Sequence, residues 1–295
     1  MIRFWSIRLR PAFVCRIALV VTLVPVFLSG CSSSHISVAL STRDHGAPIR
    51  GDRLKKRMAL IFTGGEHGEG TAFILDALQA SRAKGSFFVT GDYLANAQYR
   101  GLVGRMIAEG HYVGPHSDSH PLYCDWEHRS HTLVTEGFFR SDLQRNIADL
   151  RRLGALQPGE PVYFIPPYEW FNADQVRWAH TMGVILFNFT PGIGSNRDWA
   201  PESHPRFTPS KTILRDTLAY ERREPHGLGG ALLLLHLGSQ RADKMHFHVP
   251  TLLAELRSRD YTFVRVDELL TLSPEPVAMG PDALRRIPHA QQQQQ

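Results

Sequence analysis

Residues 111–121 read His111-Tyr112-Val113-Gly114-Pro115-His116-Ser117-Asp118-Ser119-His120-Pro121, a short apolar run followed by two histidines. The apolar part predicts a strand. If the residues after it form one helical turn, the four-residue spacing places His116 and His120 on the same side of the backbone. Two neutral imidazoles at this spacing can bind one divalent cation such as Zn²⁺ and leave room for a carboxylate and a water. A surface loop is the alternative interpretation, because the chain contains 15 histidines.

The pattern of an apolar run followed by polar residues recurs along the chain. Short apolar runs predict strands at Met58–Phe62, Ser86–Thr90, His111–Gly114, Val162–Ile165, Val184–Phe189, Ala231–His236 and Thr262–Val266. Apolar residues at three- and four-residue steps predict helices at Thr71–Arg82, Leu102–Glu109, Glu136–Leu153, Ala173–Met182, Lys211–Glu221 and Val249–Ser258. The alternation predicts a parallel α/β fold, since parallel strands are joined by helical crossovers. It is compatible with a barrel and with an open doubly wound sheet.

Both architectures place the active site at the carboxyl ends of the strands. Polar clusters follow five of the predicted strands, at Thr63–His67, His116–His120, Pro166–Trp170, Asn196–Trp199 and His236. We therefore expect these clusters to meet on one face of the fold, and this expectation favours the metal-site interpretation of the two histidines.

The N-terminal segment has the pattern of an export signal. Four arginines precede an apolar run from Ile17 to Leu28, which is followed by Leu28-Ser29-Gly30-Cys31. This ending resembles a bacterial lipobox, so residues 1–31 are predicted to be a lipoprotein signal peptide with lipidation at Cys31. Ser32 after the cysteine resembles lipoproteins sent to an outer membrane. A membrane-spanning anchor is the alternative, but the apolar run is short for a full span.

The remaining boundaries follow from composition. Residues 32–56 are polar and predict a flexible tether, and residues 273–295, rich in Pro, Ala and Gln, predict a disordered tail. Residues 57–272 remain as a single domain of roughly 215 residues, long enough for a substantial core. The net charge of +5 comes partly from the signal segment, and no basic stripe with interleaved aromatics indicates nucleic-acid binding. With Cys15 and Cys31 assigned to the signal, Cys124 has no partner and is interpreted as a buried small residue.

The domain resembles the polysaccharide deacetylase family, carbohydrate esterase family 4. The resemblance rests on Met58–Phe62, Ala83–Gly91, Glu109–His111, His116–Pro121, Pro166–Tyr168, Asp198–Trp199 and Leu233–His236, in matching order and spacing. It implies a deformed (β/α)₇ barrel and metal-dependent removal of acetyl groups from N-acetylated sugars. It also supports His236, at the end of a strand, as the general acid, against the alternative of an ordinary core histidine.

The sequence departs from the family pattern at two places. Family members usually carry an Asp-Asp pair after the first strand, one as base and one as metal ligand, and these positions are Thr63 and Gly64 here. The family's arginine before Pro-Pro-Tyr is Ile165. Glu66 is the first carboxylate after that strand, and we expect it to serve as metal ligand, general base or both. Glu69 and Asp118 are further candidates for the same role.

Other residues are assigned to substrate or to positioning. Asp198 could orient the His236 imidazole or cap a helix. Backbone amides near Pro167 and Tyr168 are candidates to stabilise an oxyanion. Tyr168, Trp170 and Trp199 have flat faces suited to sugars, with core packing as the alternative.

These residues together predict a Zn²⁺-dependent hydrolase that removes N-acetyl or O-acetyl groups from a cell-envelope or extracellular polysaccharide such as peptidoglycan. The predicted location is the bacterial cell envelope, with a lipid anchor in the outer membrane facing the periplasm. One alternative is a catalytically degenerate glycan-binding lipoprotein on the same barrel. A second alternative is a metal-dependent hydrolase of another amide or ester, since pocket loops rather than the fold determine the substrate.

Overall fold

The computed structural model describes residues 41–270. The predicted signal peptide at residues 1–31, its Cys31 lipidation site, the first part of the predicted tether and the predicted tail at residues 273–295 lie outside the described residues.

The seven strands predicted from apolar runs are confirmed, and two further strands precede them. In chain order the strands are β1 (Thr42–Asp44), β2 (Ala47–Arg50), β3 (Arg57–Gly64), β4 (Ser86–Val89), β5 (Tyr112–Pro115), β6 (Val162–Phe164), β7 (Val184–Leu186), β8 (Leu232–His236) and β9 (Thr262–Val264). Most side chains of β3 to β9 are buried, as is typical of parallel strands covered by helices.

Helices follow most of the strands, and all six predicted helices are confirmed with small shifts at their ends. They are α1 (Thr71–Ala80), α2 (Gly91–Ala95), α3 (Ala97–Ala108), α4 (Glu136–Arg152), α5 (Ala173–Thr181), α6 (Ser210–Arg223), α7 (Val249–Arg257) and α8 (Val266–Leu270). Side-chain N-caps mark the first residues of several helices. Thr135 accepts a hydrogen bond from the Phe138 amide at the start of α4, and Asn172 with Gln175 forms a capping box on α5.

The parallel strands form a deformed barrel. One ladder runs in the order β5-β4-β3-β8, with β9 also paired to β3, and a second ladder joins β6 to β7. Between β5 and β6, the Tyr163 amide donates to the Tyr112 hydroxyl at 2.8 Å. Between β7 and β8, the Thr190 amide donates to the Leu232 carbonyl at 2.9 Å, and the Leu232 amide donates to the Thr190 hydroxyl at 2.9 Å. A tyrosine hydroxyl at one seam, and a threonine hydroxyl with one backbone bond at the other, thus connect strands that no regular ladder joins.

The predicted flexible tether is wrong for its second half. Strands β1 and β2 form an antiparallel hairpin in which Ala47 and Ile49 are buried. The Thr190 hydroxyl donates to the Ile49 carbonyl at 2.7 Å, so the hairpin packs beside the β7–β8 seam. Arg50 belongs to this polar segment, but its guanidinium is buried and donates to the carbonyls of Gly227 (2.7 Å) and Gly229 (2.8 Å). These backbone acceptors, together with the Glu224 carboxylate at 3.7 Å, stabilise the buried charge.

The core lies between the sheet and the helices. Met58 to Phe62 of β3 and Leu232 to Leu235 of β8 are almost fully buried, and they pair in parallel register from Ala59↔Leu232 to Thr63↔His236. Phe62 stacks on Phe87 with ring centroids 5.1 Å apart. Among residues 41–270 there is no helix with both the length and the apolar character needed to cross a bilayer.

Replacement of Arg50 by alanine tests the hairpin's contribution. R50A leaves two buried carbonyls without their charged donor, so we expect the free energy of unfolding to fall by about 2–4 kcal/mol. The control is R100A, since Arg100 is exposed. Urea unfolding of both variants measures the difference. Equal free energies of unfolding for R50A and R100A would show that residues 42–50 stabilise the domain no more than a flexible tether would.

Candidate active site

The polar clusters predicted to share one face do meet there. They line a cavity of about 1150 Å³ at the carboxyl ends of the strands. Its walls include Thr63 at the end of β3, His116 directly after β5, Glu169 after β6, Asn196 after β7 and His236 as the last residue of β8. The cavity is larger than the roughly 300–1000 Å³ of a typical small-molecule pocket, which is consistent with a polymeric ligand.

The two histidines approach each other, but not through a helical turn. Residues 116–120 form a bend in which Ser117 (φ 69°) and His120 (φ 51°) adopt left-handed backbone conformations. The ring centroids of His116 and His120 are nevertheless 4.9 Å apart and the rings are roughly perpendicular. The predicted proximity is thus confirmed, while the predicted helical geometry is wrong.

Helix α4 shapes this bend with two buried polar side chains. The Asp142 carboxylate accepts hydrogen bonds from the amides of Asp118 (3.0 Å) and Ser119 (3.2 Å) and from the Ser119 hydroxyl (2.6 Å). Asn146 Oδ1 accepts from the His116 amide at 3.1 Å. These bonds replace the i→i−4 bonds of a helix, and they explain why the bend differs from the predicted turn.

Both imidazoles are held in the neutral form that a metal ligand requires. His116 Nδ1 lies 2.8 Å from the Ile165 carbonyl, and donation to this acceptor leaves Nε2 with a lone pair. Burial and the neighbouring His120 lower the pKa of His116 well below its usual value. Burial and the charge of His236 lower the pKa of His120 to about 4.

A buried carboxylate that the sequence did not single out, Glu169, faces His116. The distance from Glu169 Oε1 to His116 Nε2 is 3.9 Å. Glu169 follows Pro166-Pro167 in a short 3₁₀ turn in which Tyr168 (φ 57°) and Glu169 (φ 52°) are both left-handed. Burial raises the pKa of Glu169 to about 7, with Asp198 adding to the increase and His236 opposing it.

His236 and Asp198 form an imidazole–carboxylate pair in the same cavity. His236 Nδ1 lies 2.7 Å from Asp198 Oδ1, and the His236 amide donates to Asp198 Oδ2 at 2.9 Å. Burial alone would lower the pKa of His236, but Asp198 and Glu169 raise it above the ordinary imidazole value. The pair therefore favours a protonated imidazole, and Asp198 acts as a positioning residue beneath it.

The three carboxylates that the sequence suggests as ligand or base are either exposed or paired with a cationic side chain. Glu66 lines the cavity, but its side chain is exposed. Glu69 accepts from Lys244 Nζ (2.5 Å) and the Ser239 amide (3.1 Å), and Asp118 accepts from Arg145 Nε (2.8 Å). Glu69 and Asp118 are thus engaged in ion pairs with Lys244 and Arg145.

The end of β3 contributes a hydroxyl and no carboxylate. Thr63 Oγ1 is buried, lines the cavity side of the strand and makes no hydrogen bond among residues 41–270. A β-carbon at Gly64 would lie 2.7 Å from Leu237 Cδ1 and 3.0 Å from Tyr93 Cδ2. Leu237 and Tyr93 are fully buried, so this position has no space for a side chain without repacking.

Aromatic side chains form one rim of the cavity. Tyr168, Trp170 and Trp199 line it as predicted, whereas Pro167 is buried and is not part of its lining within residues 41–270. Trp126, which the sequence did not assign to the site, stacks on Trp170 at a centroid distance of 5.6 Å and is 43% exposed. Trp170 itself is only 6% exposed and packs behind Trp126, so the exposed faces suited to sugars are those of Trp126 and Tyr168.

Cys124 is confirmed as a buried residue. Its side chain is inaccessible, and burial raises the pKa of the thiol to about 12. A thiol in this state is not available as a thiolate ligand.

The donor chemistry of the cavity fits a divalent cation in part. Two neutral imidazoles and the Glu169 carboxylate are ligand types that Zn²⁺ accepts. As the side chains stand, no three His, Cys, Asp or Glu residues within 41–270 form a closed ligand group. Binding of an ion would therefore require side-chain rotation within the cavity.

Fold and site together define a parallel α/β barrel with two clustered imidazoles and a His–Asp pair at its catalytic face. A family model described as polysaccharide deacetylase matches residues 50–186. A chitooligosaccharide deacetylase from Rhizobium leguminosarum bv. phaseoli is 44% identical over 188 residues, covering 61% of this chain and 67% of the relative. The chain belongs to the polysaccharide deacetylase family, carbohydrate esterase family 4, a family of amide-bond hydrolases.

More distant relatives share the fold. A peptidoglycan-N-acetylglucosamine deacetylase of Listeria monocytogenes is 28% identical over 218 residues, which cover 74% of this chain but only 39% of that protein. The crystal structure of a peptidoglycan N-acetylglucosamine deacetylase in complex with 4-naphthalen-1-yl-N-oxidanyl-benzamide superposes with a TM-score of 0.61 at 23% identity, covering 77% of this chain and 94% of that one. The crystal structure of a family 4 pseudoenzyme from Bacillus anthracis superposes with a TM-score of 0.57 at 19% identity, covering 77% of this chain and 70% of that one.

Substitution of Asp142 tests what holds the histidine bend. In D142A two amides and a hydroxyl lose a buried acceptor, so we expect a loss of about 2–4 kcal/mol in unfolding free energy and faster amide exchange across residues 116–120. The matched control on α4 is D149A, which removes a partly exposed pair with Arg152 and should cost about 0–1 kcal/mol. Urea unfolding and hydrogen exchange measure both effects. Unchanged exchange in D142A would refute this role.

Proposed function

We propose that this protein is a metal-dependent hydrolase that removes acetyl groups from an acetylated polysaccharide. The observation that carries the proposal is the placement of His116 and His120 in the same cavity as the His236–Asp198 pair. Family membership supports deacetylation as the reaction, and the chitooligosaccharide and peptidoglycan relatives support an N-acetylated glycan as the substrate.

His116 and His120 would hold the cation through their neutral side chains. When bound, a divalent cation supplies Lewis-acid polarisation of the acetamide carbonyl. Among this chain's own residues, Glu66 at the cavity wall is the candidate general base that takes a proton from the attacking water. The unpartnered Thr63 hydroxyl is positioned to hold that water or the substrate by a hydrogen bond.

His236 would protonate the leaving nitrogen. Its raised pKa, caused by Asp198 and Glu169 against the effect of burial, favours the protonated imidazole, and Asp198 fixes the ring through Nδ1 so that Nε2 remains to donate. Glu169 and Asp198 carry the carboxylates that favour this charged form. The exposed rings of Trp126 and Tyr168, with Trp170 stacked against Trp126 as support, would contact the sugar rings on either side of the acetylated unit.

The location is also part of the proposal. The basic flank, the apolar run and Leu28-Ser29-Gly30-Cys31 support export and lipidation at Cys31, with the enzyme on the bacterial cell envelope, in the outer membrane and facing the periplasm. Peptidoglycan would then be the polysaccharide nearest to the anchored domain.

A second candidate function is a glycan-binding protein without catalysis. It is favoured by the absence of a carboxylate at the end of β3, where Thr63 and Gly64 stand, together with the exposed aromatic rim. In this case the cavity would bind the same polymer and release no acetate.

Alanine substitution of the two histidines tests the proposed function. Acetate release from chitin oligomers and peptidoglycan, together with zinc content, is measured for the wild type, H116A and H120A. We expect each variant to lose bound zinc and at least about 100-fold in kcat/KM, since a general catalytic group alone contributes on that order. H128A is the control, because the His128 side chain is 78% exposed.

The results separate the candidates. Retained zinc and activity in both H116A and H120A would contradict a metal-dependent deacetylase at this site. A wild-type protein that binds glycan, holds no zinc and releases no acetate would instead favour the glycan-binding function.

A further inference from the structure

We infer that Glu169 is the carboxylate ligand of the cation site formed by His116 and His120. The inference deepens the proposed function and rests on it. It assigns to the loop after β6 the acidic ligand that the sequence suggested would come from the loop after β3.

The separation of the two facing atoms suits a shared ion. Glu169 Oε1 and His116 Nε2 are 3.9 Å apart, which is too long for a hydrogen bond. Two ligand atoms that each lie about 2.1 Å from one ion are separated by at most about 4.2 Å. The distance therefore leaves the space of one ion between an imidazole lone pair and a carboxylate oxygen.

His120 stands beside this gap. Its ring is 4.9 Å from the His116 ring and 4.5 Å from the Tyr168 ring, measured between centroids. Tyr168 precedes Glu169 in the chain, so the loop after β6 contacts both histidines. His116, His120 and Glu169 are all ligand types that zinc accepts and line the same cavity, and side-chain rotation would bring them onto one ion.

The backbone is strained at the turn that places Glu169 beside His116. Tyr168 and Glu169 are consecutive non-glycine residues in the left-handed region, which costs on the order of 1 kcal/mol each. The turn is held from both sides, since the Glu169 carbonyl accepts from Asn188 Nδ2 at 2.7 Å and Trp170 Nε1 donates to the Asp125 carbonyl at 3.0 Å. The result is that Glu169 is 8% exposed, whereas Tyr168 is 43% exposed.

Other nearby carboxylates do not compete for this role. Both oxygens of Asp198 are engaged by His236, Glu69 is paired with Lys244, and Glu66 is exposed at the cavity wall. At the end of β3, Thr63 supplies a hydroxyl, and a side chain at Gly64 would require Leu237 or Tyr93 to move.

Two substitutions of Glu169 separate a ligand from a structural residue. E169Q keeps the size of the side chain and removes its charge. E169G removes the side chain and suits the left-handed backbone, so its melting temperature should be no lower than that of the wild type. D260G is the matched control, because Asp260 is exposed and also left-handed (φ 66°). E66Q is a second comparison.

The measurement is zinc affinity and stoichiometry of the purified full-length chain, by titration against a chromophoric chelator, alongside acetate release. We expect E169Q and E169G to bind zinc at least about 100-fold more weakly, a larger loss than removal of an outer-shell partner causes, while D260G and E66Q bind as the wild type does.

The outcomes distinguish the inference from the proposed function. If the wild type binds zinc and releases acetate but E169Q and E169G retain full zinc affinity, the inference is overturned and the proposed function stands. A lower melting temperature for E169G with unchanged zinc affinity would show a purely structural role and also overturn it. If the wild type itself neither binds zinc nor releases acetate, the proposed function fails together with the inference.

Discussion

The pairing of β3 with β8 is the constraint on which the rest of the structure depends. Both strands are buried apolar runs, and a shift of one residue would turn their side chains to opposite faces. The register Thr63↔His236 therefore fixes two cavity residues at the same level of the barrel. Leu237, one residue further, packs where a side chain of Gly64 would have to lie. The pairing thus brings the His236–Asp198 pair into the site and leaves no space for a side chain at Gly64 unless Leu237 or Tyr93 moves.

Two loops with strained backbones position the paired imidazoles and the buried carboxylate, which the strands alone do not position. Ser117, His120, Tyr168 and Glu169 are all left-handed non-glycine residues, and all lie in the two loops that bring the imidazoles and the buried carboxylate together. Such conformations persist only where surrounding contacts over-determine them. Here Asp142 holds the first loop, and Asn188 and Trp170 hold the second. Local strain in this barrel is concentrated at the site where chemistry is proposed.

The strands, the helices and the catalytic face of the barrel can be predicted from the sequence, whereas the carboxylate that faces His116 cannot. Buried parallel strands are continuous apolar runs and can be read directly, and polar residues after them mark the catalytic face. The β1–β2 hairpin does not follow from the sequence, because residues 32–56 are polar in composition and the acceptor that buries Arg50 lies 179 residues later in the chain. Glu169 lay within a recognised cluster, but which of Tyr168 and Glu169 points inward depends on a left-handed turn that spacing does not reveal. Glu66, nearer to the family motif, was the natural choice and is exposed.

The central claim is that the acidic ligand of the site comes from the loop after β6. Anomalous diffraction at the zinc edge from crystals of the zinc-loaded protein tests this most directly. The account predicts a peak within coordination distance of His116 Nε2, His120 and the Glu169 carboxylate. A peak coordinated by Glu66 or another carboxylate, with Glu169 turned away from the ion, would contradict it.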